Sequence, residues 1–199
     1  MPYTCSRRHS ITLALGVAAL LGCGSRDGGN NTSRERPAQH VARACKDVDP
    51  ARIADASAGE PRDGYTSLAE RDSLLRLLEA GEAKWHIGRP PSYLVTVVPS
   101  CFCRDRGQPV VLRVAADSVI ASRDTTGQQS WPDDWRTSLH IAGLFKEARQ
   151  FACDSTRTTR VTLDPALGYP SLLSTVSRLE MSDSDREYRV LAFEVDSGQ

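Results

Sequence analysis

The chain has no excess of charge, few histidines and no second long apolar run, and each shortage closes off a class of function. Lys and Arg number 25, and so do Asp and Glu. Without residues 1–22, the remaining 177 carry 23 basic and 25 acidic side chains. A nucleic-acid binder needs a concentrated basic face, so no nucleic-acid partner is expected. The same balance gives the folded chain no attraction to anionic lipid. Histidine occurs only at positions 9, 40, 86 and 140. There is no Gly-x-Ser-x-Gly, no Gly-rich phosphate loop and no His-Glu-x-x-His. After the first 22 residues, no apolar stretch approaches the ~18 residues that a spanning helix needs. A single domain fits the length. The expectation is a protein that is not an enzyme and holds no cofactor.

What is present first is an export signal. "MPYTCSRRHS" carries Arg7 and Arg8 and no acid, and the apolar run "ITLALGVAALLG" extends from Ile11 to Gly22. Its 12 residues suit a secretory signal and are too few to span a membrane. His9 and Ser10 stand where a twin-arginine signal wants apolar residues, so general secretion is expected. The end of the run, "LLGC", resembles the lipobox of bacterial lipoproteins. That resemblance implies cleavage before Cys23, lipid on Cys23, and a membrane partner reached through that anchor. Gly24 and Ser25 follow with no Asp, the pattern of lipoproteins sent to the outer membrane. The expected location is therefore a bacterial cell envelope, at the outer membrane where the host has one.

Residues 23–63 are poor in core side chains. "GSRDGGNNTSRERPAQH", which contains His40, reads as a flexible tether, and the stretch to Gly64 as a loosely ordered arm, tied down if Cys45 is bridged. Residues 64–199 read as one α+β domain. Leu68, Leu75, Leu78 and Trp85 form one apolar helical stripe, opened by a Ser67/Glu70 capping box and stopped by Gly88 and Pro90-Pro91. "SYLVTVV" alternates as a strand with Tyr93, Val95 and Val97 on one face. "PVVLRVA" and "SVIASR" flank a tight turn at Ala116-Asp117 and read as a hairpin. "TSLHIAGLFKEARQFAC" is a second helix, with Ser138 as its natural cap and Phe145 on its apolar face. "TRVTL", "GYPSLLSTVSRLEM" and "YRVLAFEV" complete the strands. In the last, Tyr188, Val190, Ala192 and Glu194 alternate against Arg189, Leu191, Phe193 and Val195, and apolar residues on both sides suit a central place. The predicted fold is an antiparallel sheet of five or six strands with two helices on one face, in the order αβββαβββ.

Cys5 leaves with the signal, and the four mature cysteines besides Cys23, namely Cys45, Cys101, Cys103 and Cys153, read in a secreted chain as two disulfides with three possible connectivities. On an extended strand Cys101 and Cys103 face the same way, about 6.6 Å apart at ~3.3 Å per residue. A bridge wants Cβ atoms roughly 4 Å apart, so a direct link requires a bend at Phe102. Pro99 before it and "RDRG" after it make such a bend credible. The series Trp85, Tyr93, Cys101-Phe102-Cys103, Phe145, "LDPALGYP" and an acidic turn before a final strand resembles a family of bacterial secreted proteins and lipoproteins, classed as a domain of unknown function. The likeness covers about Leu68 to Val195 and departs at the hairpin, where Ala116-Asp117 replaces an Asn-Gly-like turn. It implies the fold, an envelope location and no established activity. It also implies Cys101–Cys103 and Cys45–Cys153 as the pairing.

Other chemistry is thinly represented. A structural zinc site wants two close ligand pairs, and only one exists. Redox dithiols usually show Cys-x-x-Cys at a helix start, unlike Cys101-x-Cys103 beside strands. Asp183, Asp185 and Glu187 read as a solvated acidic turn rather than a Ca²⁺ site, and Asp133-Asp134 as loop acids. Tyr169, after Gly168 and before Pro170, reads as a cap on the core edge rather than a ligand residue. No metal is expected. The expected function is a membrane-anchored, non-catalytic module that binds a protein partner in the envelope. The alternative is a thiol- or Cu(I)-handling protein that uses Cys101 and Cys103.

Overall fold

Ser67 and Glu70 start the longest helix. In the computed structural model, which describes residues 35–47, 66–101, 107–124, 138–177 and 185–196, the Glu70 N–H donates to the Ser67 hydroxyl at 3.2 Å and the Ser67 N–H to the Glu70 carboxylate at 2.9 Å. This reciprocal pair satisfies two of the donors that every helix start leaves unpaired. The helix, α2 in chain order, runs Leu68–Gly88. Leu75, Leu78 and Trp85 on its inner stripe are at most 1% exposed. Pro90, without an N–H, follows directly on the C-cap Arg89.

The chain then forms β1 (Ser92–Cys101), β2 (Val110–Ala115), β3 (Ser118–Asp124), helix α3 (Ile141–Cys153), β4 (Arg157–Leu163), β5 (Pro170–Ser177) and β6 (Arg186–Val195). The six strands make one sheet in the order β3-β2-β1-β6-β5-β4, antiparallel at every pairing. The α+β class therefore holds, and the last strand takes the interior place between β1 and β5. Side chains alternate along β1: Tyr93, Val95 and Val97 are buried, while Leu94, Thr96 and Val98 are only half-buried. The buried set joins Leu112, Val114, Leu144, Phe145, Ala148 and Leu173 in one core under α2 and α3.

Three expectations are corrected. The element order is ααβββαβββ, because α1 (Pro37–Ala44) forms inside the stretch read as tether and arm. Pro37 occupies the first turn, where its missing N–H costs nothing, and His40, Val41 and Cys45 are buried together on one side. Residues 23–34 and 48–63 of that stretch lie outside the described residues. In β6 the register against β1 shifts between Thr96 and Val97, and Leu191 is the extra residue. That bulge inverts the alternation, so Tyr188 and Val190 share a face with Phe193 and Val195 instead of opposing them. Finally, the N-cap of α3 is His140, not Ser138, which is itself helical together with Leu139.

The hairpin turn holds Ala116 at φ 48° and Asp117 at φ 61°. Both residues are left-handed, as the twist of a two-residue hairpin demands, although neither is the Asn or Gly that tolerates it best. Arg89, just past α2, forms an ion pair with Asp117 and braces the turn.

Candidate functional site: the uncovered face of the sheet

The residues that carried the family resemblance meet inside the core. Trp85 of α2 stands edge-on to Tyr93, Tyr169 and Phe193, with ring centroids 5.5, 5.9 and 5.7 Å away. Phe193 lies stacked between Tyr93 and Tyr169, at 5.1 and 5.2 Å. Burial pushes the hydroxyls of Tyr93 and Tyr169 up from the usual tyrosine range, so neither is a ready proton donor or acceptor. The cluster is packing, and Tyr169 is part of it. The turn before Tyr169 is equally structural. Asp164 Oδ1 accepts from the N–H groups of Ala166 (2.9 Å) and Leu167 (2.7 Å), and the Lys84 ammonium donates to the Pro165 carbonyl. Gly168 sits at φ 82°, where a Cβ would lie 2.7 Å from the Gly81 carbonyl of α2. Glycine at both positions lets this turn press against the helix.

Cys45 is bonded to Cys153, linking the end of α1 to the end of α3 across 108 residues. That bond removes both crossed connectivities. Cys101 ends β1 opposite Arg186, whereas Cys23, Phe102 and Cys103 lie outside the described residues. So do Asp133, Asp134 and Asp183; Asp185 accepts from the Ser177 N–H at 2.8 Å. His86 is exposed near the end of α2, and His140 caps α3. No group of three or more His, Cys, Asp or Glu among the described residues is placed to hold a metal ion. Likewise, no described helix is long and apolar enough to cross a membrane.

Two buried polar constellations escaped the sequence reading. Arg71 of α2 is 1% exposed and donates to the last carbonyls of α3, from Nε to Ala152 at 3.2 Å and from Nη2 to Cys153 at 2.6 Å. Burial pushes this guanidinium down from the usual arginine range, against the opposing pull of the Asp154 charge. It serves as a C-terminal cap that complements the negative helix end. The second constellation is His40, which is fully buried rather than part of a tether. The signal for the first was a charged pair, Arg71 and Asp72, standing four and three residues before Leu75 on the apolar stripe.

Among the described residues, the helices cover only one face of the sheet. On the other, Leu94 of β1, Val111 of β2 and Ala121 of β3 line a shallow groove of about 350 Å³ together with Arg113, Arg123 and Asp196. Arg113 Nε donates to the Asp196 carboxylate at 2.6 Å. Arg123 is exposed and forms no ion pair with a described residue. Farther along the same face, Val176 of β5 is 51% exposed, and Leu191, lifted by the β6 bulge, is 55% exposed. An apolar strip edged with arginine can hold a ligand by burial and charge.

The described residues thus form an α+β fold with one antiparallel sheet, helices on one face and a groove on the other. The chain belongs to a family of unknown function, DUF6174, whose profile matches residues 77–195. No curated protein and no solved structure matches it.

Proposed function

We propose that this is a lipoprotein of a bacterial cell envelope, anchored through lipid on Cys23, whose domain is a non-catalytic module that binds a protein partner with the uncovered sheet face. The observation that carries the reading is the asymmetry of the sheet. Among the described residues, α2 and α3 pack on one face, and the other presents Leu94, Val111 and Ala121 flanked by Arg113 and Arg123. Exposed apolar surface rimmed by charge is what interaction sites present. Cys101 and Cys103 join each other in this reading and stabilise the end of β1.

The test places a photo-crosslinking residue at Val111 in the full, anchored chain, with Ile87 on the helix side as control; Ile87 is 90% exposed. A discrete protein adduct at Val111, abolished by Arg123→Glu, is the expected result. An adduct from Ile87 alone would overturn the choice of face. Cys23→Ala is expected to shift the protein out of the membrane fraction, and an unchanged fraction would overturn the anchor. Titration of the unfolded, unreduced mature chain is expected to find no free thiol at Cys101 or Cys103. Two free thiols protected by Cu(I) would replace the binding module with metal handling.

A further inference from the structure

His40 has no exposed surface, yet both of its ring nitrogens face carboxylates of α2. Nδ1 lies 2.7 Å from Asp72 Oδ1, and Nε2 lies 3.1 Å from Glu79 Oε2. An ionised carboxylate only accepts hydrogen bonds, so both nitrogens must donate, which the imidazolium alone can do. Asp72 is ionised here. The hydrogen bond from Arg76 Nε at 3.0 Å holds its carboxyl below the usual carboxylate range, and His40 adds to this against the opposing effect of burial. The charges facing the ring are few. From α2 come Asp72, Arg76 and Glu79; from α1 and its entry come Arg43 and Glu35, with Arg43 3.6 Å from Glu79 and 3.2 Å from Glu35. Three acids then meet two arginines, and the cluster is neutral only when His40 carries the third positive charge.

Catalysis is a poor account of this group, since no substrate reaches a ring with no exposed surface. A single metal ion is equally poor, because the two carboxylates sit on opposite nitrogens of the ring. We infer that His40 is a proton-operated latch: α1 stays docked on α2 while the imidazolium bridges Asp72 and Glu79, and loss of the proton releases α1, which the Cys45–Cys153 bond still holds at its far end. A neutral ring has one donor and turns a lone pair toward the second carboxylate, from a ring that has no exposed surface of its own. The sign follows. The docked state favours the protonated ring, so the latch holds at lower pH and opens as the pH rises. The Asp72 side fails only when the pH falls below the usual carboxylate range. Where the lipid anchor proposed above is also present, release adds residues 35–44 to the tether, about 30 Å at ~3.3 Å per residue.

The test uses the mature chain with its disulfide intact and needs no membrane, so it stands apart from the anchor. Hydrogen exchange of residues 35–44, corrected for the intrinsic rate, is followed from pH 5 to 9 beside ¹⁵N spectra of the histidine rings, with exposed His86 as an internal reference. While α1 is protected, His40 is expected to show two protonated nitrogens. Its opening constant should then rise by up to ~10-fold per pH unit, the limit for one linked proton. His40→Gln should leave α1 weakly protected at every pH, and Glu79→Gln should move the wild-type transition to lower pH. A neutral His40 ring beside a protected α1, a pH-independent wild-type helix, or an unmoved transition in Glu79→Gln would each overturn the latch.

Discussion

Replacing Cys45 and Cys153 together by alanine isolates the staple between the arm and the domain. The bond spans 108 residues, so in the chain-entropy model its loss returns roughly 16 cal/mol/K to the unfolded ensemble, about 4.8 kcal/mol at 25 °C. Both sulfurs are fully buried, and the small cavities left by alanine act in the same direction. A single domain is stable by only about 5–15 kcal/mol, so the variant should lie close to its unfolding threshold. Urea unfolding of the two oxidised proteins, followed by tryptophan fluorescence and by circular dichroism, measures the difference. The variant's m-value should also rise, because an uncrosslinked chain exposes more surface when it unfolds. A loss below about 1 kcal/mol with an unchanged m-value would refute the account of the bond as a restraint on the unfolded chain.

Two further substitutions probe the turns. Gly168→Ala forces a side chain into a left-handed residue and to within 2.7 Å of the Gly81 carbonyl, so it should cost at least ~2 kcal/mol by thermal or urea unfolding; a neutral result would mean that the turn does not press on α2 as described. Conversely, Ala116→Asn relieves a left-handed alanine without removing the Arg89–Asp117 pair and should raise stability by roughly 0.5–1 kcal/mol; a loss would show that the turn is not the one inferred.

Features that depend on near neighbours in the chain were legible before the structure. The Ser67/Glu70 box involves residues three apart, the buried set of β1 recurs every second residue, and the Ala116-Asp117 turn lies between two strands it directly joins. Local spacing carries such information because a helix end, a pleat and a two-residue turn are each specified within a few residues. The last strand's central place was legible too, from its apolar middle, but its faces were not. A single bulge at Leu191 reverses the alternation, and nothing within β6 marks it, since its cause is the register against β1. The same limit hid α1, the buried arginine and the groove. His40 finds Asp72 32 residues away, and Arg71 finds the Cys153 carbonyl 82 residues away. The groove draws on three separate strands and Asp196. A charged residue on an apolar stripe acquires its meaning only when a distant partner desolvates it and supplies its hydrogen bonds. Sequence alone therefore determined the helices and strands from Leu68 to Val195, while tertiary packing decided that α1 forms, which polar groups are buried and which face of the sheet the described helices cover.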